Sequence, residues 1–175
     1  TIVFFKHKTL SQKIIFSFLL SWFFAFCSQI IIPLPFNFVP ISLQPFPVLL
    51  SSLIFGWTAI YAYSLTIIQA ALGAPFFSGF EGGIIKLIGP TAGYIFGFLF
   101  SMIFLATTKN IFNKNIFTIF SKVTFAVFIY YIFGLAQLSL FVPSSKLLYL
   151  GFYPFIIGDL IKISLITFWV NYFRN

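Results

Sequence analysis

The sequence predicts an all-α integral membrane protein, and two observations carry that prediction. Hydrophobic residues make up 61% of the chain and charged residues only 7%, a composition suited to lipid rather than to water. The 175 residues also divide into apolar runs separated by proline, glycine and lysine, and a spanning helix needs about 20 residues. We therefore expect six transmembrane helices, with residues 1–175 forming a single membrane domain.

The six apolar runs follow one another with short connections. The first covers residues 14–32 and is too long for a signal peptide, and no small-residue cleavage site follows it. The second, at about residues 41–55, is short for a span, so we expect it to be tilted or partly irregular. The remaining four cover about residues 57–72, 87–106, 116–140 and 151–170.

Positive charges predict the orientation. With six spans, most basic residues fall on one side of the membrane, which the positive-inside bias assigns to the cytoplasm; they are Lys6, Lys8, Lys13, Lys109, Lys114 and Arg174. The opposite side receives only Lys86 and Lys146. Both termini are therefore expected inside. The net charge of +8 reflects this topology and does not indicate binding to nucleic acid. We expect the chain to contact the lipid bilayer.

A proline-rich segment, residues 31–47, connects the first two runs and holds five of the nine prolines. Proline fixes φ and lacks the N–H donor, so the segment should be a stiff, extended connection. It lies on the predicted outer face. Phe36, Phe38 and Gln44 are candidates there for stacking on a ring and hydrogen bonding to an amide-like group. An ordinary kinked turn is the alternative.

A glycine-rich segment, residues 73–97, holds seven of the eleven glycines. Glycine permits positive φ and close approach of a ligand to the backbone. Irregular backbone at membrane depth is tolerated where it is buried in protein or lines a cavity. The free amides after Gly89-Pro-Thr favour an anion such as a carboxylate. Gly89, Gly93 and Gly97 also form a small-residue stripe, whose alternative role is close helix packing.

The sixth run contains an acidic residue in apolar surroundings. Asp159 is one of only two acidic residues, and the other, Glu81, lies in the glycine-rich segment. Lys162 follows Asp159 at i+3, on the same helix face about one turn away. An ionisable group at membrane depth costs at least about 2.5–3.5 kcal/mol and usually faces a polar cavity. A mutually neutralised pair that only joins two helices is the structural alternative.

On the first run, Ser17, Ser21, Ala25 and Gln29 recur every four residues on one helix face. Small residues at this spacing allow another helix to approach closely. That helix belongs either to this chain or to a partner protein.

Four motifs in order carry a family resemblance. They are Pro-Leu-Pro with Val-Pro-Ile-Ser-Leu-Gln, Leu-Gly-Ala-Pro-Phe-Phe-Ser-Gly, Gly-Pro-Thr-Ala-Gly-Tyr, and Pro-Phe-Ile-Ile-Gly-Asp-Leu-Ile-Lys. Over residues 17–162 the chain resembles the BioY family, the biotin-specific S components of energy-coupling factor (ECF) vitamin transporters. The resemblance implies a six-helix S-component fold in a bacterial cytoplasmic membrane, which captures biotin from outside. It also implies two kinds of partner, a transmembrane coupling protein and two ATPase subunits.

The resemblance also implies roles for individual residues. Asp159 and Lys162 fall on the family's Gly-Asp-Leu-x-Lys motif and are expected to bind biotin. Ser21 and Ala25 occupy the place of an Ala-xxx-Ala motif that contacts the coupling protein, with serine in place of the first alanine. The other residues predicted to bind substrate come from the two loops and the helix that follows them: Gln44, Phe38, Phe80, Glu81, Gly82, Gly83, Thr91 and Tyr94.

The chain shows no nucleophile–base pair, Walker motif or metal-ligand cluster, and its single cysteine, Cys27, allows no internal disulfide. We therefore expect no enzyme activity, cofactor or metal, and energy supplied by partners. Three alternatives stay open: an S component for another vitamin, such as thiamine or riboflavin; an ion- or proton-coupled carrier that uses Asp159 as the relay; and a membrane enzyme with Glu81 as its base. A ligand-binding screen separates the first alternative from biotin capture.

Overall fold

The computed structural model of the chain describes residues 9–35, 37–108 and 115–174. Within these residues the chain forms eight α-helices and one short antiparallel ribbon. The helices are α1 (Leu10–Ser28), α2 (Pro45–Phe55), α3 (Trp57–Ala71), α4 (Ile84–Ile88), α5 (Ala92–Thr107), α6 (Ile116–Leu138), α7 (Ser144–Gly151) and α8 (Ile156–Arg174). The ribbon pairs β1 (Ile31–Ile32) with β2 (Ile41–Ser42). Lys6, Lys8, Phe36, Lys109 and Lys114, which entered the sequence predictions, lie outside the described residues.

The helical membrane class is confirmed. By length and composition, three stretches of the described chain are long and apolar enough to cross a bilayer: α1, α6, and residues 144–173, which join α7 to α8. Helices α2 and α5 are apolar but shorter. Six helices overlap the six predicted runs, and the two additional ones, α4 and α7, are short helices in the connections. The count of six membrane crossings stays a prediction.

Local sequence explains where several helices begin and end. Helix α1 starts with a capping box, in which the Thr9 hydroxyl accepts from the Gln12 amide and the Gln12 side chain accepts from the Thr9 amide. Pro45 opens α2, where the fixed φ of proline suits the first turn. Gly56 has a φ of 60° between α2 and α3, and this left-handed conformation allows the chain to reverse sharply.

The packing of α5 against α6 fixes the position of Tyr130. A Cβ atom on Gly97 would lie 2.7 Å from the Tyr130 Cα atom, and one on Gly93 would lie 2.1 Å from the Phe133 carbonyl oxygen. The two helices therefore touch backbone to backbone, so this part of the glycine stripe serves helix packing. Helix α6 in turn packs against α8, and α2 packs against both α5 and α8. Tyr130 is thereby held between α5 and α8.

Candidate ligand-binding site

A cavity lies where the two irregular segments meet the ends of the helices. It offers about 650 Å³ of space free of protein atoms, part of it open to solvent. The proline-rich segment and the start of α2 form one side, the glycine-rich segment a second, and α5, α6 and α8 the rest. Its polar lining consists of Ser42, Gln44, Ser78, Lys86, Thr91, Tyr94, Tyr130, Tyr131, Asp159 and Lys162.

The centre of the polar wall is the carboxylate of Asp159, a residue that is only 5% exposed as a whole. Its Oδ1 atom lies 2.9 Å from the Nζ atom of Lys162. Its Oδ2 atom accepts hydrogen bonds from two phenols, those of Tyr130, at 2.6 Å, and Tyr131. Hydrogen bonds to an ionised group are about twice as strong as neutral ones. The charge of Asp159 is therefore compensated by donors from α6 and from its own helix.

Tyr130 and Tyr131 were not among the residues predicted to bind substrate. They stand next to each other on α6, and both hydroxyls reach the same oxygen on α8. A signal for them was present in the sequence, since two adjacent phenols inside the apolar run 116–140 need polar partners at membrane depth. The sequence does not show which helix packs against the face of α6 that carries these two phenols.

Tyr94, one of the residues predicted to bind substrate, lines the cavity, but its hydroxyl is already engaged. It donates to the Gly151 carbonyl at 2.7 Å. Its ring fills the space beside Gly134, where a Cβ atom would come within 2.3 Å of the ring. Tyr94 thus joins α5 to the end of α7 and offers the cavity its ring rather than a free hydroxyl.

Gln44 also lines the cavity, at the start of α2, and the residue is 5% exposed. Within the described part of the chain, its Nε2 atom has no hydrogen-bond partner. Buried amide donors are almost always paired, and an unpaired one costs about 1–3 kcal/mol. A donor of this kind in a cavity wall is available to a ligand.

The second acidic residue lies at the rim of the cavity. Glu81 forms an ion pair with Lys86, and their side chains are 47% and 32% exposed. Lys86 belongs to the lining together with Thr91, whereas Glu81 is not among the lining residues. Partial burial lowers the pKa of the Lys86 ammonium from its usual value.

Four other predicted loop residues do not belong to the lining of this cavity. Phe38 and Phe80 are 57% and 73% exposed. Gly82 packs against the backbone, since a Cβ atom there would lie 2.3 Å from the Ala74 carbonyl oxygen. Gly83 has a φ of 89°, and its amide donates to the Ala70 carbonyl at 2.7 Å. The two glycines shape and anchor the segment.

The small-residue stripe of α1 packs inside the molecule. Ser21 and Ala25 are 0% and 5% exposed, and α1 packs against α3. The Ser21 hydroxyl accepts from Gln69 at 3.0 Å, and its carbonyl accepts from Thr66 at 3.2 Å. In this structure the two residues contact α3, as the internal alternative requires, and their contact with a coupling protein stays a prediction.

The fold and the site together define the class: a helical membrane protein that encloses a polar-lined cavity near one end of its bundle. Comparison with known proteins narrows this class. The model of the BioY family matches residues 5–175, and the chain belongs to that family.

Two relatives and one solved structure show the extent of the similarity. The chain is 33% identical to the probable biotin transporter BioY of Pyrococcus horikoshii, over 71% of this chain and 74% of that protein. It is 36% identical to the biotin transporter BioY of Thermotoga maritima, over 75% and 79%. The fold matches the crystal structure of an S component for biotin from an ECF-type ABC transporter, with a TM-score of 0.81, 24% identity, and coverage of 95% and 94%.

Proposed function

We propose that this protein captures biotin at the outer face of the membrane as the substrate-specific S component of an ECF transporter. The observation that carries the proposal is the cavity in which a buried carboxylate, Asp159, held by Lys162 and two phenols, lies together with an unpaired amide donor, Gln44. Membership of a family whose relatives are named biotin transporters supports the choice of substrate.

The ureido ring of biotin, with two N–H donors and one carbonyl acceptor, fits the Asp159 end of the cavity. A carboxylate offers about four acceptor positions, and Tyr130, Tyr131 and Lys162 fill three of them. The position left on Oδ1 is assigned to a ureido N–H. Lys162 and Gln44 have further N–H groups and are assigned to the ureido oxygen.

The rest of biotin is an apolar thioether ring and a carboxylate tail. Ile95, Phe98 and Phe155 line the cavity and supply an apolar wall of the kind that ligand sites use. Lys86 and Thr91 are assigned to the carboxylate, because a lysine at the rim binds it with a charge-assisted hydrogen bond.

The predicted loop residues outside the lining are assigned indirect roles. Glu81 holds Lys86 at the rim until a ligand arrives. Gly82 and Gly83 fix the course of the segment that carries Lys86. Phe38 and Phe80 are exposed and are assigned to the surroundings of the cavity mouth, where they would meet lipid or an entering ligand.

In the membrane, we propose six spans within one domain, residues 1–175, with both termini in the cytoplasm of a bacterial cell. The end of α1 that contacts the glycine-rich segment near the cavity is its C-terminal end, so Lys13 lies at the opposite end of the bundle. On the basis of the positive-inside bias, we propose that this end faces the cytoplasm and that the cavity faces outside. The partners proposed for energy are an ECF transmembrane coupling protein and two ATPase subunits.

The test of this function begins with purified protein. Biotin should bind, whereas thiamine and riboflavin should not compete, and mass spectrometry should find biotin among the small molecules released from the protein. Cells that contain the ATPase partners should take up biotin through it. Binding of another vitamin in place of biotin, or uptake that a protonophore abolishes but loss of the ATPases does not, would contradict the proposal.

A variant at Gln44 tests the observation on which the proposal depends. Gln44→Met keeps the length of the side chain but removes the unpaired donor. We expect biotin affinity to fall about tenfold, the scale of one hydrogen bond, while the melting temperature of the ligand-free protein stays the same or rises. Titration calorimetry and thermal unfolding measure the two effects. Unchanged affinity would remove Gln44 from the binding site.

A further inference from the structure

The end of α1 holds part of the glycine-rich segment through the side chain of Gln29. The Nε2 atom of Gln29 donates to the carbonyls of Pro75, at 3.1 Å, and Phe77, at 3.0 Å. Its Oε1 atom accepts from the backbone amide of Phe80 at 2.8 Å. One side chain therefore binds both arms of a tight turn, residues 75–81, which we call the cover hairpin.

Ser28, the neighbour of Gln29, adds a further contact to the cover hairpin. Its hydroxyl lies 2.6 Å from the Phe76 carbonyl, to which it donates, and Ser28 is fully buried. The Gln29 Nε2 atom also lies 3.0 Å from the Ser28 oxygen. The two side chains form one connected set of hydrogen bonds between α1 and the cover hairpin.

The cover hairpin needs this support because its backbone is unusual. Gly79 and Phe80 have φ values of 79° and 57°, and a positive φ is uncommon for a bulky residue such as phenylalanine. Such conformations persist only where surrounding contacts hold them. Phe80 is 73% exposed, so packing of its ring does not hold this conformation. The hydrogen bond from the Phe80 amide to Gln29 supports this conformation instead.

The cover hairpin also forms part of the cavity. Phe77 and Ser78 line the cavity wall, and Phe77 is 3% exposed. The carbonyl that Gln29 binds on one arm belongs to Phe77 itself. Gln29 does not line the cavity, but it contacts the backbone of Phe77, the residue next to Ser78 in the cavity wall.

We propose that Gln29 is a positioning residue for ligand capture: from the end of α1 it fixes the cover hairpin and thereby sets how long a bound ligand stays. This inference rests on the proposed function, because the ligand is taken to be biotin. One consequence can be measured without any ligand: the amides of the cover hairpin should exchange faster when Gln29 is changed.

The experiment compares Gln29→Met with a matched control, Gln69→Met. Gln69 on α3 donates to the Ser21 hydroxyl of α1 at 3.0 Å, and its other side-chain hydrogen bond among the described residues goes to the Leu65 carbonyl of its own helix. Both variants lose a polar link to α1 and keep a similar volume. Hydrogen exchange of residues 75–81 in ligand-free protein, biotin dissociation rates and melting temperatures are measured for both and for the unaltered protein.

In Gln29→Met we expect amide exchange in the cover hairpin and the biotin dissociation rate each to rise about tenfold or more. Gln69→Met should lower the melting temperature and leave both rates unchanged. Unaltered exchange or an unaltered dissociation rate in Gln29→Met would overturn the proposal, as would equal increases in Gln69→Met.

Ser28→Ala keeps the test decisive if Gln29→Met does not fold. This small change removes the bond to the Phe76 carbonyl, and we expect a smaller rise, about threefold, in the same two rates. Rates equal to those of the unaltered protein would overturn the proposal. Failure of the unaltered protein to bind biotin would instead contradict the proposed function, and the exchange measurement would still show whether Gln29 holds the cover hairpin.

Discussion

The two acidic residues of this chain each pair with a lysine at the same cavity, but in opposite environments. The side chains of Asp159 and Lys162 are 7% and 14% exposed, whereas those of Glu81 and Lys86 are 47% and 32% exposed. Removing one partner of a buried pair costs about 3–5 kcal/mol, and an exposed pair contributes about 0–1 kcal/mol. The Asp159–Lys162 pair therefore stabilises the fold, whereas the Glu81–Lys86 pair can separate at little cost.

The difference suggests a division of labour between the two lysines. Lys162 is fixed beside Asp159, which is itself held by two phenols, so it presents its remaining donors in a constant direction. Lys86 loses little when it leaves Glu81, because water screens that pair. A ligand carboxylate at the rim can take the place of Glu81 at low cost.

The largest expected effect comes from neutralising each acid in turn. Asp159→Asn leaves the buried Lys162 without its counter-charge, so we expect the free energy of unfolding to fall by about 3–5 kcal/mol and biotin binding to be largely lost. Glu81→Gln, the same chemical change at the rim, should cost less than about 1 kcal/mol. Denaturation in detergent and biotin titration measure both. Equal losses of stability would show that burial does not separate the pairs.

Removing one phenol at a time should give the next largest effect. Tyr130→Phe and Tyr131→Phe each delete one donor to the Asp159 carboxylate, and we expect each to lower stability by about 1.5–3 kcal/mol. Tyr63→Phe is the control, because its hydroxyl donates to a neutral carbonyl, that of Ile95, at 3.3 Å. Unfolding measurements in which all three variants lose the same amount would mean that the charge of Asp159 adds nothing.

A smaller effect is expected from the contact that positions Tyr130. Gly97→Ala pushes a methyl group against the Tyr130 backbone, so we expect a loss of about 1–3 kcal/mol together with weaker biotin binding. Gly158→Ala is the control next to Asp159: among the described residues, the neighbour that its Cβ atom would meet is the Ile41 side chain, at 4.0 Å. Thermal unfolding and titration compare them. Weakened binding in Gly158→Ala but not in Gly97→Ala would contradict this account of the buried pair.

The smallest effect on stability is expected at Lys86. Lys86→Met should change the free energy of unfolding by less than about 1 kcal/mol but weaken the binding of biotin several-fold. Biotin methyl ester, which lacks the negative charge, should bind the variant and the unaltered protein equally. Titration with both ligands checks this. Equal losses for acid and ester would mean that Lys86 does not meet the carboxylate.

Sequence reasoning succeeded where helix geometry alone decides the outcome. The i, i+3 spacing of Asp159 and Lys162 predicts their proximity, and the pair forms at 2.9 Å. The apolar runs also locate the long helices α1, α6 and α8 to within a few residues, because hydrophobicity over about 20 residues is a strong signal.

Sequence reasoning failed where tertiary packing decides. Spacing predicted a close contact at Ser21 and Ala25, but only the fold shows that α3 fills it. Tyr130 and Tyr131 were missed because the partner of that face of α6 depends on the α5–α6 contact at Gly97. Aromatic character suggested Phe38 and Phe80 as wall residues, yet the loop backbone leaves both exposed.

The hydrogen bonds of Asp159 also bear on how the chain enters the membrane during synthesis. Chains emerge from the N-terminus, so α6 with its two phenols precedes α8. Asp159 then arrives with Lys162 one turn away on its own helix and with Tyr130 and Tyr131 on a neighbour made earlier. An unpaired charge at the centre of a helix opposes insertion by about 2.5–3.5 kcal/mol. Because α6 is made before α8, the two phenols and Lys162 are all present when the Asp159 carboxylate enters the membrane.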